Sequence, residues 1–158
     1  MNPHHKAEPQ APEHAGKILV IEDSLDQWTL FKKALEEVNP QIKPVLANKP
    51  QVAFDLLEEC QQTGSGFPLL IVLDLYVPKR QDGWQALEVI HSMPASISQI
   101  PVIMFTSSTD LEDLIDAYQQ GVQSYVIKPK TVSEWMDCCR ILSDYWWQAV
   151  KRSRTNPH

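Results

Sequence analysis

Five short apolar runs punctuate this chain, and none alternates with polar residues. They are Lys17-Ile18-Leu19-Val20-Ile21, Val45-Leu46-Ala47, Leu69-Leu70-Ile71-Val72-Leu73, Pro101-Val102-Ile103-Met104-Phe105 and Ser124-Tyr125-Val126-Ile127. A strand with one wet face repeats every second residue, so a strand that is apolar throughout must be covered on both faces. Between the runs the apolar spacing is helical. Trp28, Phe31, Leu35 and Val38 mark one face of a first helix that ends near Asn39-Pro40. Asn48 and Pro50 open a second helix with Phe54, Leu56, Leu57 and Cys60 as its apolar residues. A third, after Gly83, uses Trp84, Leu87, Val89 and Ile90, and a fourth runs to Gly121, a residue suited to a helix terminus. Ser24 with Gln27, Thr109 with Glu112 and Thr131 with Glu134 have capping-box spacing, the last opening a helix to about Val150. Strand followed by helix, five times over, predicts a doubly wound α/β domain with a parallel sheet between two helical layers.

The flanks differ in character. Residues 1–15 are polar and proline-rich and are expected to be disordered; the domain proper is expected over 16–150, followed by a short basic tail over 151–158. With 158 residues there is room for one domain, and after Val150 too few remain for a DNA-binding output domain. A net charge of −6 argues against nucleic acid as the main partner. No apolar run approaches the roughly 20 residues that cross a membrane, and the first residues carry no signal-peptide pattern, so a cytoplasmic protein without a membrane partner is expected. Cys60, Cys138 and Cys139 fit neither a disulfide framework nor zinc spacing and are read as reduced thiols.

The chemistry is concentrated where the apolar runs stop. In doubly wound sheets, ligands gather outside the carboxyl ends of the strands. Here the first strand ends on Glu22-Asp23, the third on Asp74, the fourth on Thr106 and the fifth on Lys128. Taken singly, each has a plain explanation: an aspartate or threonine that caps the next helix, a solvated acidic pair, a Lys-Pro turn. Taken together they place three carboxylates and one ammonium in one cleft, with a formal charge of −2. A divalent cation neutralises that set, and hard carboxylate oxygens suit Mg²⁺. A site so completed can accept a phosphoryl group.

These residues carry a resemblance. Ile-Glu-Asp at 21–23, Leu-Asp-Leu at 73–75, Pro78, Asp82-Gly83, Pro-Val-Ile-Met-Phe-Thr-Ser at 101–107 and Tyr-Val-Ile-Lys-Pro at 125–129 resemble, in order, the receiver domains of two-component response regulators. The match covers about residues 16–150. It implies a flavodoxin-like doubly wound (βα)5 parallel sheet of strand order 2-1-3-4-5. It implies Asp74 as the phosphoacceptor, taking its phosphoryl group from the phosphohistidine of a sensor histidine kinase. Asp23, Asp74 and the backbone carbonyl of Tyr76 would bind Mg²⁺ directly, with Glu22 acting mostly through water. Lys128 would pair with Asp74 and then with the phosphoryl oxygens; Thr106 would donate its hydroxyl to that group; Tyr125 would turn inward behind it. The Lys128–Pro129 bond is expected to be cis, and output is expected from the face of the fourth helix, fifth strand and fifth helix. Such a chain would be no enzyme beyond catalysing its own phosphorylation and dephosphorylation.

Three features depart from the pattern or narrow it. Asp74 to Gly83 is one residue longer than the family's usual spacing, the extra residue lying within Lys79-Arg80-Gln81. Tyr76, two after the nucleophile, is bulky and is expected to shield the acyl phosphate from water. In the last helix Trp135, Cys139, Leu142, Trp146 and Ala149 form one apolar stripe with Cys138, Ile141 and Tyr145 beside it, which predicts a homodimer using Trp135, Leu142, Tyr145 and Trp146. The early Leu-Val-Ile-Glu-Asp-Ser, the Asp-Leu-x-x-Pro-Lys motif and the aromatic last helix are most similar to the small stand-alone regulators paired with phytochromes. Other readings stay open: a phosphorelay intermediate, a chemotaxis-type regulator, or a receiver-shaped docking module that needs no phosphate. An aspartyl phosphatase is disfavoured, because Tyr76 stands where such an enzyme needs a second acid.

Overall fold

The structure is a computed structural model that describes residues 16–155. The expectations for residues 1–15 and for the last three residues of the basic tail lie outside the described residues. Five parallel strands, β1 (Lys17–Ile21), β2 (Lys43–Ala47), β3 (Leu70–Leu73), β4 (Val102–Thr106) and β5 (Ser124–Ile127), form one sheet in the order β2-β1-β3-β4-β5. The doubly wound fold and its strand order are those expected. The helices are α1 (Leu25–Val38), α2 (Pro50–Thr63), α3 (Arg80–His91), a single turn α4 (Ala95–Ser98), α5 (Leu111–Gln119) and α6 (Val132–Thr155).

The unbroken apolar strands are explained by two cores, one on each side of the sheet. In β1, Leu19 and Ile21 pack toward α2 and α3, meeting Leu57, Leu87 and Ile90, while Ile18 and Val20 pack toward α1 and α6, meeting Leu35 and Leu142. Successive strand residues point to opposite faces, so both sets are buried and no polar residue can intervene. On the α1/α6 side, Phe31, Phe105 and Trp135 form a triangle of edge-to-face rings with centroids 5.5–6.1 Å apart.

That second core corrects the dimer expectation. Trp135, Leu142 and Trp146 are buried at 5%, 2% and 1% exposure against α1 and the sheet, and Tyr145 is half-buried beside them. The stripe is real, but its partner is the molecule's own α1 and sheet. The apolar residues that α6 leaves outside are Val132, Ile141 and Trp147. The helix also continues to Thr155, so the first part of the basic tail is helical.

The helix starts are partly as expected. Thr131 caps α6, its hydroxyl oxygen accepting the Glu134 amide at 3.2 Å. At α1, Ser24 Oγ accepts from the Gln27 amide at 3.3 Å, but the reciprocal bond comes from Glu22, whose carboxylate accepts the Ser24 amide at 3.1 Å. The Thr109–Glu112 box is not formed: Asp110 stands at the N-cap of α5 without a side-chain cap bond, and Ser108 Oγ accepts the Asp110 amide instead. Gly121, with φ +89°, follows α5 in the left-handed region that favours glycine.

Candidate functional site

The strand ends do meet. Leu73 pairs in register with Ile21 on one side and with Met104 on the other, so Glu22-Asp23, Asp74 and Thr106 emerge side by side at the carboxyl edge. Oxygens of Glu22, Asp23 and Asp74 all lie within 4.8 Å of one another. Glu22 and Asp74 are buried, at 6% exposure each, whereas Asp23 is exposed and forms the open side. Lys128 Nζ bridges the two buried acids, 2.5 Å from Glu22 Oε1 and 2.9 Å from Asp74 Oδ2. The Lys128 amide donates to the Thr106 carbonyl at 2.8 Å, which fixes the lysine at the end of β5.

One ammonium serves two buried carboxylates, and the acidities show the imbalance. Burial pushes the Asp74 carboxyl up to about 6 from an ordinary 3.8, against the pull of its hydrogen bond and charge attraction to Lys128. Asp23 is also raised, by desolvation and then by the neighbouring charge of Glu22. Burial opposes the charge on Lys128, yet its hydrogen bonds to Glu22 and Asp74 win and hold the ammonium above its ordinary value. A trio of hard oxygen donors, closely spaced and open on the Asp23 side to water, fits a divalent cation such as Mg²⁺. Such an ion would reverse the upward pressure on both aspartates.

The segment after Asp74 is held tightly. The Tyr76 amide donates to Asp74 Oδ1 at 3.1 Å, orienting the carboxylate, and the Tyr76 ring is 38% exposed at the rim. Asp82 Oδ2 accepts the Lys79 amide at 3.0 Å and so starts α3. Gly83 then passes so close to β3 that a Cβ on it would stand 2.0 Å from the Leu75 carbonyl oxygen. Only glycine fits there. In the loop between Asp74 and α3 the Val77–Pro78 bond is cis. That corrects the expectation for Lys128–Pro129, which is not cis: at any X-Pro bond the isomers differ by only about 0.5–1 kcal/mol, so the surroundings choose and not the dipeptide.

Thr106 is fully buried, and its Oγ1 accepts the Ser108 amide at 3.2 Å. Tyr125 is half-buried against the core, and its hydroxyl donates to the Ser108 carbonyl at 2.9 Å. Sequence reasoning passed over Arg80 and Asp113. Arg80, half-exposed at the start of α3, forms an ion pair with Asp113, 1% exposed on α5. The sequence carried no signal for it: Leu111, Ile115 and Tyr118 of α5 have the spacing of a buried stripe, yet they are 65%, 47% and 50% exposed while Asp113 and Ala117 face inward. A cavity of about 330 Å³ lined by Lys17, Leu56, Cys60 and Pro68 lies at the opposite, amino-terminal end of the strands and takes no part in the acidic site.

A parallel sheet of order 2-1-3-4-5 with an acidic trio, a bridging lysine and a buried threonine at its carboxyl edge is the architecture of a receiver domain. The family model of the response regulator receiver domain matches residues 18–139, and the chain belongs to that family. Among curated relatives, the probable methanogenesis regulatory protein FilR2 of Methanothrix harundinacea is 30% identical over 82% of this chain and 82% of its own length. The response regulator Rcp1 of Synechocystis is 27% identical over 84% of this chain and 90% of its own length. Among solved structures, the phosphorylated cyanobacterial phytochrome response regulator RcpA superposes with a TM-score of 0.72 at 26% identity, covering 84% of this chain and 94% of that one. The Mn²⁺-bound form of Rcp1 gives 0.70 at 26% identity, covering 83% and 94%. Phytochrome response regulators are therefore among its relatives. Among the described residues, no helix is long and apolar enough to cross a membrane.

Proposed function

We propose that this chain is a phosphorylated switch in two-component signalling, with Asp74 as the phosphoacceptor. The observation that carries the reading is the shared cluster of Glu22, Asp23 and Asp74 oxygens with Lys128 bridging two of them. An Asp74 oxygen forms the new P–O bond as the P–N bond of a histidine kinase's phosphohistidine breaks, the electron pair leaving with the imidazole. Asp23, Asp74 and the Tyr76 carbonyl would hold Mg²⁺, with Glu22 acting through water; the ion would neutralise charge on the incoming group. Lys128 exchanges its Asp74 contact for a phosphoryl oxygen, and the Thr106 hydroxyl donates to another. Positioning and charge neutralisation then suffice for a weak carboxylate nucleophile. The chain catalyses its own phosphorylation and, with water as nucleophile, its own dephosphorylation.

Tyr125 and the face of α5, β5 and α6 transmit the change. That face leaves Leu111, Ile115, Tyr118 and Ile127 exposed, an apolar surface suited to a partner protein. A phytochrome-type kinase as donor is supported by the names of RcpA and of the bacteriophytochrome response regulator AtBRR, which is 28% identical with a TM-score of 0.62. A cytoplasmic location belongs to the same reading, since a histidine kinase presents its phosphohistidine there. A homodimer through α6 would use Ile141 and Trp147, not the buried stripe; a single monomeric species in sedimentation, with and without a phosphoryl analogue, removes the dimer from the account.

Incubation with acetyl phosphate and Mg²⁺, followed by intact mass measurement, tests the core of the reading. The wild type should gain one phosphoryl group and Asp74→Asn none. No gain in the wild type would mean a docking module, and continuous turnover of donor without a persistent adduct would mean a phosphatase.

A further inference from the structure

Arg80 and Asp113 lie outside the acidic cluster, yet their bonds run directly into the switch. Asp113 Oδ1 accepts from Arg80 Nε at 2.6 Å and also from Arg80 Nη2. Asp113 Oδ2 accepts from Ser108 Oγ at 2.6 Å. Ser108 in turn donates its amide to Thr106 Oγ1 and accepts the Tyr125 hydroxyl on its carbonyl. One continuous series of hydrogen bonds thus joins the first residue of α3 to both residues read as the switch. The Arg80 guanidinium also lies over the Trp84 ring, 5.8 Å from its centroid, which limits its freedom.

Asp113 is well placed to govern the turn. The only residues α5 buries are Asp113 and Ala117, so the seating of this helix, and of the 107–110 turn before it, depends heavily on that carboxylate. Charge-assisted bonds on both of its oxygens are stronger than neutral ones. A loop that is competent only part of the time weakens ligand binding by that fraction.

We propose that Arg80 and Asp113 are positioning residues that hold the Thr106–Ser108 turn and the Tyr125 hydroxyl in phosphoryl-receiving geometry before the phosphoryl group arrives. The proposal rests on Asp74 being the acceptor. Its distinctive part is that order in the switch loop comes from a brace across to α3, supplied by Arg80 within the lengthened segment after Asp74.

The test uses the full chain with Arg80→Ala, Arg80→Lys, Ser108→Ala and the Arg80→Ala/Ser108→Ala double variant; Arg80 is half-exposed, so its variants should fold. Without any ligand, amide hydrogen exchange over residues 107–110 should be about tenfold faster in Arg80→Ala and partly restored in Arg80→Lys. With Mg²⁺ and beryllofluoride as the phosphoryl analogue, followed by tryptophan fluorescence, Arg80→Ala should bind roughly fivefold more weakly than wild type. In the Ser108→Ala background the Arg80 change should add less than about twofold, because the connection is already cut. Unchanged exchange in Arg80→Ala overturns the brace, as do effects of the two substitutions that simply multiply. If the wild type fails to bind the analogue, the Asp74 reading fails, while the exchange measurement still decides whether the brace exists.

Discussion

Two aspartates in this molecule are both hidden from solvent, Asp74 at 6% and Asp113 at 1% exposure, yet their carboxyls shift in opposite directions. Asp74 is raised to about 6, whereas Asp113 is lowered even though burial opposes its charge. The difference lies in depth and in partners: Asp74 sits deep among the strand ends, whereas Asp113 lies near the surface beneath Arg80. Asp113 has Arg80 on one oxygen and Ser108 on the other, with no competing acid in hydrogen-bond contact. Asp74 shares its one ammonium with Glu22 and has Asp23 beside it. A satisfied carboxylate holds structure; an under-compensated one suits a site that a cation completes. Solvent exposure alone does not tell them apart.

Four substitutions break or sharpen that contrast. The largest effect is expected where the backbone leaves no slack. Gly83→Ala would force a Cβ against the Leu75 carbonyl, shifting the segment that carries Asp74 at one end and Arg80 at the other. We expect a loss of about 3 kcal/mol or more in denaturant unfolding, with both aspartates displaced. A loss below about 1 kcal/mol would show that α3 moves away freely.

Next come the aspartates themselves, with opposite signs. In metal-free protein at neutral pH, Asp113→Asn should destabilise by about 2 kcal/mol through lost charge-assisted bonds. Asp74→Asn should stabilise, on the order of 1 kcal/mol, because the folded site disfavours the charged carboxylate. The pH profiles should separate them further. Between an ordinary 3.8 and about 6, folded Asp74 holds a proton that the unfolded chain has released, so stability falls as pH rises through that window. Asp113 acts oppositely: its contribution is complete above its ordinary value and is lost as pH falls through the lowered one. Thermal unfolding from pH 3 to pH 7, with and without Mg²⁺, reads both slopes; added Mg²⁺ should abolish the Asp74 slope, as should Asp74→Asn. The smallest effect belongs to Tyr76→Ala, which removes a rim side chain and should shorten the phosphoryl half-life by about threefold, a barrier change of under 1 kcal/mol. An unchanged half-life would deny Tyr76 any shielding role.

The same contrast marks how far the sequence was legible. Asp74 was visible because it interrupts an apolar run, and the bounds of β5 were visible because Gly121 and Lys128-Pro129 punctuate it. The apolar stripe of α6 was equally plain, but spacing records that a face is buried and not what covers it. The facing α1, with Phe31, Ala34 and Leu35, decides that, and it lies about a hundred residues away. Arg80 and Asp113 are separated by 33 positions, so no local spacing links them. The turn α4 is too short for a helical period to show, and a cis bond at Val77–Pro78 rather than Lys128–Pro129 turns on a small energy difference that neither dipeptide reveals.

Anomalous diffraction from crystals grown with Mn²⁺ and beryllofluoride examines the central claim, that the acids of separate strands hold one cation beside Asp74. The account predicts a single metal peak in contact with Asp23 and Asp74, the beryllofluoride on Asp74, and loss of the peak in Asp23→Asn. A metal bound elsewhere, or an occupied Asp74 with no metal beside it, would contradict it.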